Sequence, residues 1–240
     1  MTALDDLCQT PFHQADAPAR ARILSRLADT ELSVALTVEP AGDTVDLRIF
    51  DLPGARVALA ADEESRLAGF LGGPVAYAAL PGRVLAAMLR AEGVGLLINP
   101  GAPSEMLLDA QTLGWLETAL ASAPVADESR LAAGPPRPDT VAALAGPLAE
   151  RLADLRGLIA GAALAGAGDG HVLLIAGAEP ARQPAIAKAL SETLAFLPSQ
   201  PGGVDIGFVD ATPSGALVFD LTPPEPAPKP PRPKGPPILR

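Results

Sequence analysis

The chain has 240 residues with 28 acidic and 18 basic side chains, which gives a formal charge of −10. Hydrophobic residues make up 48% of the chain, enough for a core, so a wholly disordered protein is excluded. An acidic protein repels phosphate backbones, which argues against nucleic-acid binding. One cysteine and two histidines exclude zinc fingers, disulfide scaffolds and histidine-built metal sites.

The cysteine content and the N-terminal sequence predict a cytoplasmic protein. The single Cys8 cannot form an internal disulfide, which suits a reducing compartment. The opening sequence MTALDDLCQTPFHQ lacks the basic start and apolar run of a signal peptide. The apolar run 157–178 is interrupted by Gly168-Asp169-Gly170, so two strands joined by a turn explain it better than a membrane span.

Hydrophobic periodicity divides the first half into alternating strands and helices. After a flexible N-terminus over residues 1–17, an α/β domain is predicted over 18–122. Its strands are predicted at 31–38, 45–50, 55–60, 75–80, 95–99 and 106–108, and its helices at 18–28, 62–71, 81–92 and 109–121. We expect the first three strands to form an antiparallel meander. Asp109 is the predicted N-cap of the last helix.

A proline-rich linker over residues 123–139 separates this domain from a second one, predicted over 140–222. The second domain reads helix, two strands, helix, two strands, at 141–156, 158–164, 171–176, 183–196, 204–209 and 216–219. This order predicts a small sheet with two helices on one face. The fold class is therefore α/β (α+β), with two small mixed sheets each packed with helices.

The last segment, 223–240, has a different composition. It contains nine prolines, four bases and one acid, so we predict a disordered, solvated tail. Such a tail is either a spacer or a peptide that docks in an aromatic-lined groove of a partner. The candidate partner-binding residues are Pro228, Lys229, Pro230, Pro231, Arg232, Pro233 and Lys234.

The sequence contains no recognisable catalytic constellation. A nucleophilic triad needs a histidine base, and the two histidines are His13 in the N-terminus and His171 at the start of a strand. The glycines of 166–170 precede a strand rather than a helix, which favours a hairpin turn over a phosphate loop. We therefore predict no catalytic residue, no metal and no cofactor.

Several segments of the chain resemble the SseB (enhanced serine sensitivity) family. The N-terminal domain of that family is similar to LADTELSVAL (27–36), RIFDLPGARVALA (48–60), LAGFLGGPVAYAALPGRVLAAML (67–89) and GLLINPGAPSEMLL (95–108). Its C-terminal domain is similar to HVLLIAGAEPARQPAIAKALSETLAF (171–196) and VDIGFVD (204–210). The resemblance implies a two-domain protein and supplies no biochemical activity. A secretion-translocon component shares the name, but this chain lacks the long amphipathic helices expected of one.

Three functions remain open at this stage. The first is a non-enzymatic interaction or adaptor protein with an unidentified protein partner, which the exposed sheet edges and the tail favour. The second is a small-ligand-binding regulatory module, for which Asn99, Gly101 and Ser104 in the loop 93–104 are the candidate residues. The third is an enzyme that uses carboxylates. The sequence leaves homo-oligomerisation open.

Overall fold

Two mixed β-sheets, each packed with helices, organise the chain in the computed structural model, which describes residues 1–40, 42, 44–124 and 133–222. The first sheet has the strand order β4-β1-β3-β5-β6, with β2 also paired to β3. Its strands are β1 Glu31–Ala35, β2 Ile49–Leu52, β3 Ala55–Ala61, β4 Tyr77–Pro81, β5 Gly95–Ile98 and β6 Met106–Leu108. Strands β3 and β5 are parallel, and the other pairs are antiparallel. The predicted α+β class is confirmed.

The predicted meander is only partly formed. Strand β2 pairs with the first residues of β3, whereas β1 pairs with the last residues of β3 and, along its whole length, with β4. Among the described residues, the β1 and β2 segments meet at one isolated bridge between Leu36 and Leu47. Because β1 and β2 share one edge of β3, they cannot be neighbours along their full length.

Four helices cover the two faces of the first sheet, and a short fifth helix precedes them. The helices are α1 Ala3–Leu7, α2 Ala17–Asp29, α3 Glu64–Leu71, α4 Gly82–Ala91 and α5 Ala110–Leu120. Helices α2, α4 and α5 bury leucine-rich stripes with one face of the sheet, while α3 packs on the other face through Leu67. The predicted N-cap is confirmed, since Asp109 Oδ1 accepts the N–H of Thr112 at 2.7 Å.

The N-terminus differs from the predicted flexible lead-in. Residues 3–7 form α1, and Leu4 and Cys8 are buried in the core of the first half. Thr2 caps the helix in a capping box with Asp5. A five-residue helix carries too few turns to produce a readable hydrophobic period, and its position depends on residues far away in the sequence.

The second sheet has the order β10-β9-β8-β11, with β7 paired to β8 and β10 parallel to β9. The elements are β7 Ala133–Gly134, α6 Pro138–Asp154, β8 Gly161–Ala167, β9 Gly170–Ala176, α7 Gln183–Ala195, β10 Val204–Val209 and β11 Leu217–Val218. Both helices share one core with one face of the sheet, as predicted. Strand β7 and the first two residues of α6 fall inside the predicted linker. The helix begins at Pro138 because proline suits the first position of a helix.

The apolar run 157–178 forms the β8–β9 hairpin. Register places Ala167 opposite Gly170, so Gly168 and Asp169 make a two-residue turn, with Gly168 at a φ of +52°. The hairpin prediction is therefore confirmed. Among the described helices, none has both the length and the hydropathy needed to cross a bilayer.

Phe196 joins the two halves. It follows α7 in the second half, yet it is buried in the core of the first half. Its ring meets the Trp115 ring of α5 edge-on, at a centroid distance of 5.5 Å. Around it, Arg83 bonds to both Asp29 and Glu192, and Lys188 donates to the Leu120 carbonyl at 2.8 Å. The two halves therefore share packing as well as ion pairs.

We expect Phe196→Ala to lower the free energy of unfolding by about 3–5 kcal/mol, because it empties a buried aromatic site at the junction. Denaturant titration measures the change. The matched control is Phe70→Ala, which removes an exposed ring and should cost less than about 0.5 kcal/mol. Similar small losses in both variants would contradict the shared core.

Candidate functional site

The loop after β5 holds the residues proposed for a small ligand. Asn99 ends the strand with a φ of +47°, a region that non-glycine residues rarely adopt. Its Nδ2 donates to Ser104 Oγ at 2.9 Å, and both residues are 0% exposed. Gly101 lies apart from them in an exposed turn, where its N–H donates to Glu105 Oε2 at 2.6 Å. The structure thus brings together two of the three candidates, and their polar groups bond within the protein.

Ser104 connects this loop to helix α1. Its hydroxyl donates to Asp5 Oδ1 at 2.6 Å. Arg66 of α3 donates to the same oxygen at 3.0 Å through Nη1, and to Asp5 Oδ2 through Nη2. The guanidinium therefore donates to both carboxylate oxygens of Asp5. This bidentate arrangement makes arginine–carboxylate pairs strong. We call Asp5, Arg66, Asn99 and Ser104 the N-terminal clasp.

Two further contacts hold the clasp in place. Thr2 Oγ1 donates to Asp62 Oδ2 at 2.6 Å, which ties the cap of α1 to the residues just before α3. The N–H of Asp62 in turn donates to Asn99 Oδ1 at 2.9 Å. Asn99 therefore bonds at once to the start of α3 and to Ser104. This double engagement explains why its backbone is held in an unfavourable conformation.

The ion pair shifts the pKa of both its members. The bond from Arg66 holds the pKa of Asp5 well below the usual aspartate range, with the Ser104 and Thr2 bonds acting in the same direction against burial. The bond to Asp5 raises the pKa of Arg66 above its ordinary value. Both side chains are therefore charged near neutral pH. The sequence alone does not pair Asp5 with Arg66, because the two residues are 61 positions apart.

Cys8 lies one residue beyond α1 and is 2% exposed. Burial raises the pKa of its thiol, and the nearby Asp5 charge adds to the rise. A buried thiol with a raised pKa reacts slowly with alkylating reagents. As the one cysteine of the chain, Cys8 reports whether α1 is docked.

One ring nitrogen of His171 is bonded within the fold, and the other, Nδ1, is buried without a hydrogen-bond partner among the described residues. His171 is buried, and its Nε2 accepts the N–H of Arg137 at 3.2 Å. Burial lowers the pKa of His171, and the charge of Arg137 adds to this. In the part of the chain that the structure describes, no group of three or more His, Cys, Asp or Glu side chains could hold a metal ion. Residues Pro228, Lys229, Pro230, Pro231, Arg232, Pro233 and Lys234 lie outside the described residues.

One face of the first sheet is incompletely covered. Helix α3 packs over β1 and β3, and the register places Leu97 beside Leu107 at the other end of the same face. Leu107 is 51% exposed and Leu97 is half-buried. Phe50 belongs to the same face, with Leu52 two residues along the strand. We call Phe50, Leu52, Leu97 and Leu107 the open face.

A cleft of about 190 Å³ lies between the halves, where α2 faces α6 and α7. Three arginines line it, and three carboxylates line it as well: Arg22, Arg26, Arg151, Asp29, Glu150 and Asp154. Arg151 Nη1 lies 3.3 Å from Asp29 Oδ2. Among the described residues, the buried Nε of Arg151 has no hydrogen-bond partner. The cleft is therefore a concave site between the halves that is lined by both positive and negative side chains.

Comparison with known protein families identifies a domain in the first half of the chain. Residues 11–115 match the SseB protein N-terminal domain. Residues 11–115 therefore form an SseB N-terminal domain. The match spans the first sheet with α2, α3 and α4, and it includes three members of the clasp. No curated protein and no solved structure matched the chain. The similarity of 171–196 and 204–210 to the SseB C-terminal domain stays a prediction.

The clasp leads to a prediction about Cys8. Asp5→Asn removes the charge to which Arg66 donates, and charged hydrogen bonds contribute about 1.5–3 kcal/mol each. We expect Cys8 to be alkylated by iodoacetamide at least about tenfold faster in this variant. Asp6→Asn, at the exposed neighbouring position, is the matched control and should leave the rate unchanged. Equal rates in the two variants would show that the clasp does not hold α1.

The lowered pKa of Asp5 also predicts a pH dependence. A carboxyl whose pKa is depressed by folding stabilises the protein above its unfolded pKa of about 3.9, and this stabilisation decreases as the pH falls below that value. The difference in unfolding free energy between wild type and Asp5→Asn should therefore be constant from pH 7 to about 5 and diminish below about 4. Urea titrations at several pH values measure it. A difference that stays the same down to pH 3 would contradict the assignment.

Proposed function

We propose that this SseB protein is a cytoplasmic, non-enzymatic interaction module that binds a protein partner through the open face. The observation that carries the proposal is the exposure of Leu52 and Leu107, two large apolar side chains on this face of the first sheet. Exposed apolar side chains on a sheet face offer a surface to a protein partner. The open face extends to β6, which is an edge strand of the first sheet. A partner can therefore also pair with the free edge of β6.

The geometry of the open face indicates what the partner presents. Leu97 and Leu107 are adjacent across β5 and β6, and Phe50 lies on the strand that pairs to the other side of β3. The guanidinium of Arg48 sits 4.9 Å from the centroid of the Phe50 ring, so a cation lies at that end. We expect the partner to supply apolar side chains with a carboxylate near Arg48.

The polar chemistry of the described residues supports an interaction role over catalysis. The buried acids Asp5 and Glu192 are bound by arginines, and His171 accepts a backbone hydrogen bond. A catalytic acid or base needs a proton that it can exchange with a substrate. These three groups are instead bonded to neighbouring elements of the fold.

The tail provides the second contact in this proposal. Residues 228–234 combine prolines with three bases, a composition that suits a proline-recognising groove with an acidic rim. The last described residue is Thr222, and the carbonyl of Leu221 accepts a hydrogen bond from Arg156. A chain shortened to Thr222 therefore retains the described contacts of the second half.

The small-ligand-binding regulatory module is the second candidate, and the cleft between α2 and helices α6 and α7 favours it. A ligand seated there would touch both halves at once and raise the melting temperature by linkage. The discriminating observation is a melting-temperature rise with succinate or inorganic phosphate that Arg26→Ala abolishes and Arg20→Ala preserves. Arg20 lies on the same helix and does not line the cleft.

The proposal is tested by affinity capture from a lysate of the native organism, with mass spectrometry. We expect a specific partner to be retained by wild type and lost by Leu107→Asp, because a charge would be buried in the apolar contact. Val218→Asp is the matched control, since Val218 is also an exposed strand residue, in the second half. Both variants should melt at the wild-type temperature.

The chain ending at Thr222 forms the second arm of the test. A partner retained by full length and lost by this shorter chain would assign docking to the tail. A partner held equally well by wild type, Leu107→Asp and the shorter chain would contradict both contacts proposed here.

A further inference from the structure

Helix α1 occupies the first domain as a ligand occupies a binding site. It contributes one carboxylate, Asp5, to a guanidinium and a hydroxyl, and two apolar side chains, Leu4 and Cys8, to the core below. The residues that receive Asp5 lie within the matched range 11–115, whereas α1 precedes that range.

We propose that the groove beneath α1 is a binding site for an acidic, leucine-containing helical segment of a partner protein, and that residues 2–8 occupy this groove in cis. The inference deepens the interaction function proposed above by adding a second surface to the open face. It identifies the partner segment by its chemistry, a leucine followed directly by an aspartate or glutamate on a short helix.

The receiving groups are organised by bonds that do not involve α1. Asn99 holds Ser104 at 2.9 Å and accepts the Asp62 N–H at 2.9 Å. Arg66 is anchored on α3, where it pairs with Glu63 at 3.3 Å and with Asp62 at 3.5 Å. These contacts remain when α1 leaves, so they hold the guanidinium beside the Ser104 hydroxyl, where it can bond an incoming carboxylate. Preorganised donors of this kind favour binding because little ordering is needed.

The apolar part of the groove sets the second requirement. Leu4 is 1% exposed and belongs to the same core as Ile23 and Leu89. When α1 leaves, the apolar surface that Leu4 covers faces water, next to the charged fork of Arg66. An amphipathic acidic helix satisfies both parts at once, whereas a small carboxylate satisfies the charge alone.

Helix α1 is suited to exchange because it gains little stability from its own length. Five residues form barely more than one turn, and isolated helices of that length are marginal in water. Its stability therefore comes from the groove. A segment that competes in trans binds with an apparent Kd equal to its intrinsic Kd divided by the fraction of chains in which α1 is undocked.

The test uses a fluorescent peptide of residues 1–10 with Cys8→Ser, titrated into full-length chains and followed by anisotropy. We expect the peptide to bind Asp5→Asn chains at least about tenfold more tightly than wild type or Asp6→Asn chains, because the cis competitor is weakened. A peptide that itself carries Asp5→Asn should lose at least about tenfold in affinity, and one with Asp6→Asn should bind like the parent.

A second readout needs no protein variant. Adding the parent peptide to wild-type chains should accelerate alkylation of Cys8 in proportion to occupancy, since the displaced α1 exposes the thiol. Failure of the peptide to bind any chain, or binding that does not depend on its Asp5, would overturn the inference.

A second copy of the chain is the competing occupant. If Asp5→Asn chains form dimers on size exclusion without peptide, the groove exchanges α1 between copies and the partner-segment inference is overturned. None of these measurements uses the open face. The failure of this inference and the failure of the Leu107→Asp capture are therefore distinguishable.

Discussion

The buried ion pair between Asp5 and Arg66 is the interaction on which the first domain's polar interior depends. It joins α1 to α3, and through Ser104 and Asn99 it reaches the loop after β5. Removing both charges from water costs several kcal/mol, and bidentate bonding with additional donors is needed to offset this. Each oxygen of Asp5 is accordingly bonded to at least one donor. Breaking one member leaves the other charge without its bidentate partner, so Asp5 and Arg66 contribute to stability as a pair.

Coverage of the sheets determines where this protein can meet others. Three helices close one face of the first sheet, and one helix closes only part of the other. The second sheet places both its helices on a single face, and Phe196 extends from there into the first core. The junction between the halves is therefore packed, while Leu52 and Leu107 of the open face are exposed. This division supports the proposal that a partner binds the first sheet, while the junction has a structural role.

Most elements follow from local patterns in the sequence. The Asp109 cap and the Gly168-Asp169 turn are short-range signals, and the structure has both in place. Strand boundaries moved by a few residues, as with β8, which begins at Gly161 rather than 158. Helix α1 has no local signal in the sequence, because the residues that hold it, such as Arg66 and Ser104, lie 61 and 99 positions from Asp5.

The candidate site likewise depends on contacts between residues that are distant in the sequence. Asn99 and Ser104 stood out as polar residues in a glycine- and proline-containing loop, and they do lie together. Their function in the fold could not be predicted, since Ser104 meets Asp5 across 99 positions. Phe196 likewise follows the last residue of α7, and nothing local in the sequence indicates that it is buried in the core of the first half. Long-range pairing of this kind leaves no period in the sequence.

The most direct test of the clasp is a double-mutant cycle between Asp5 and Arg66. Unfolding free energies are measured for wild type, Asp5→Asn, Arg66→Gln and the double variant at pH 7 and low salt. The account predicts a coupling energy of about 2 kcal/mol or more, because the pair is charged, bidentate and largely withdrawn from water. A coupling below about 0.5 kcal/mol, the level of independent sites, would contradict it.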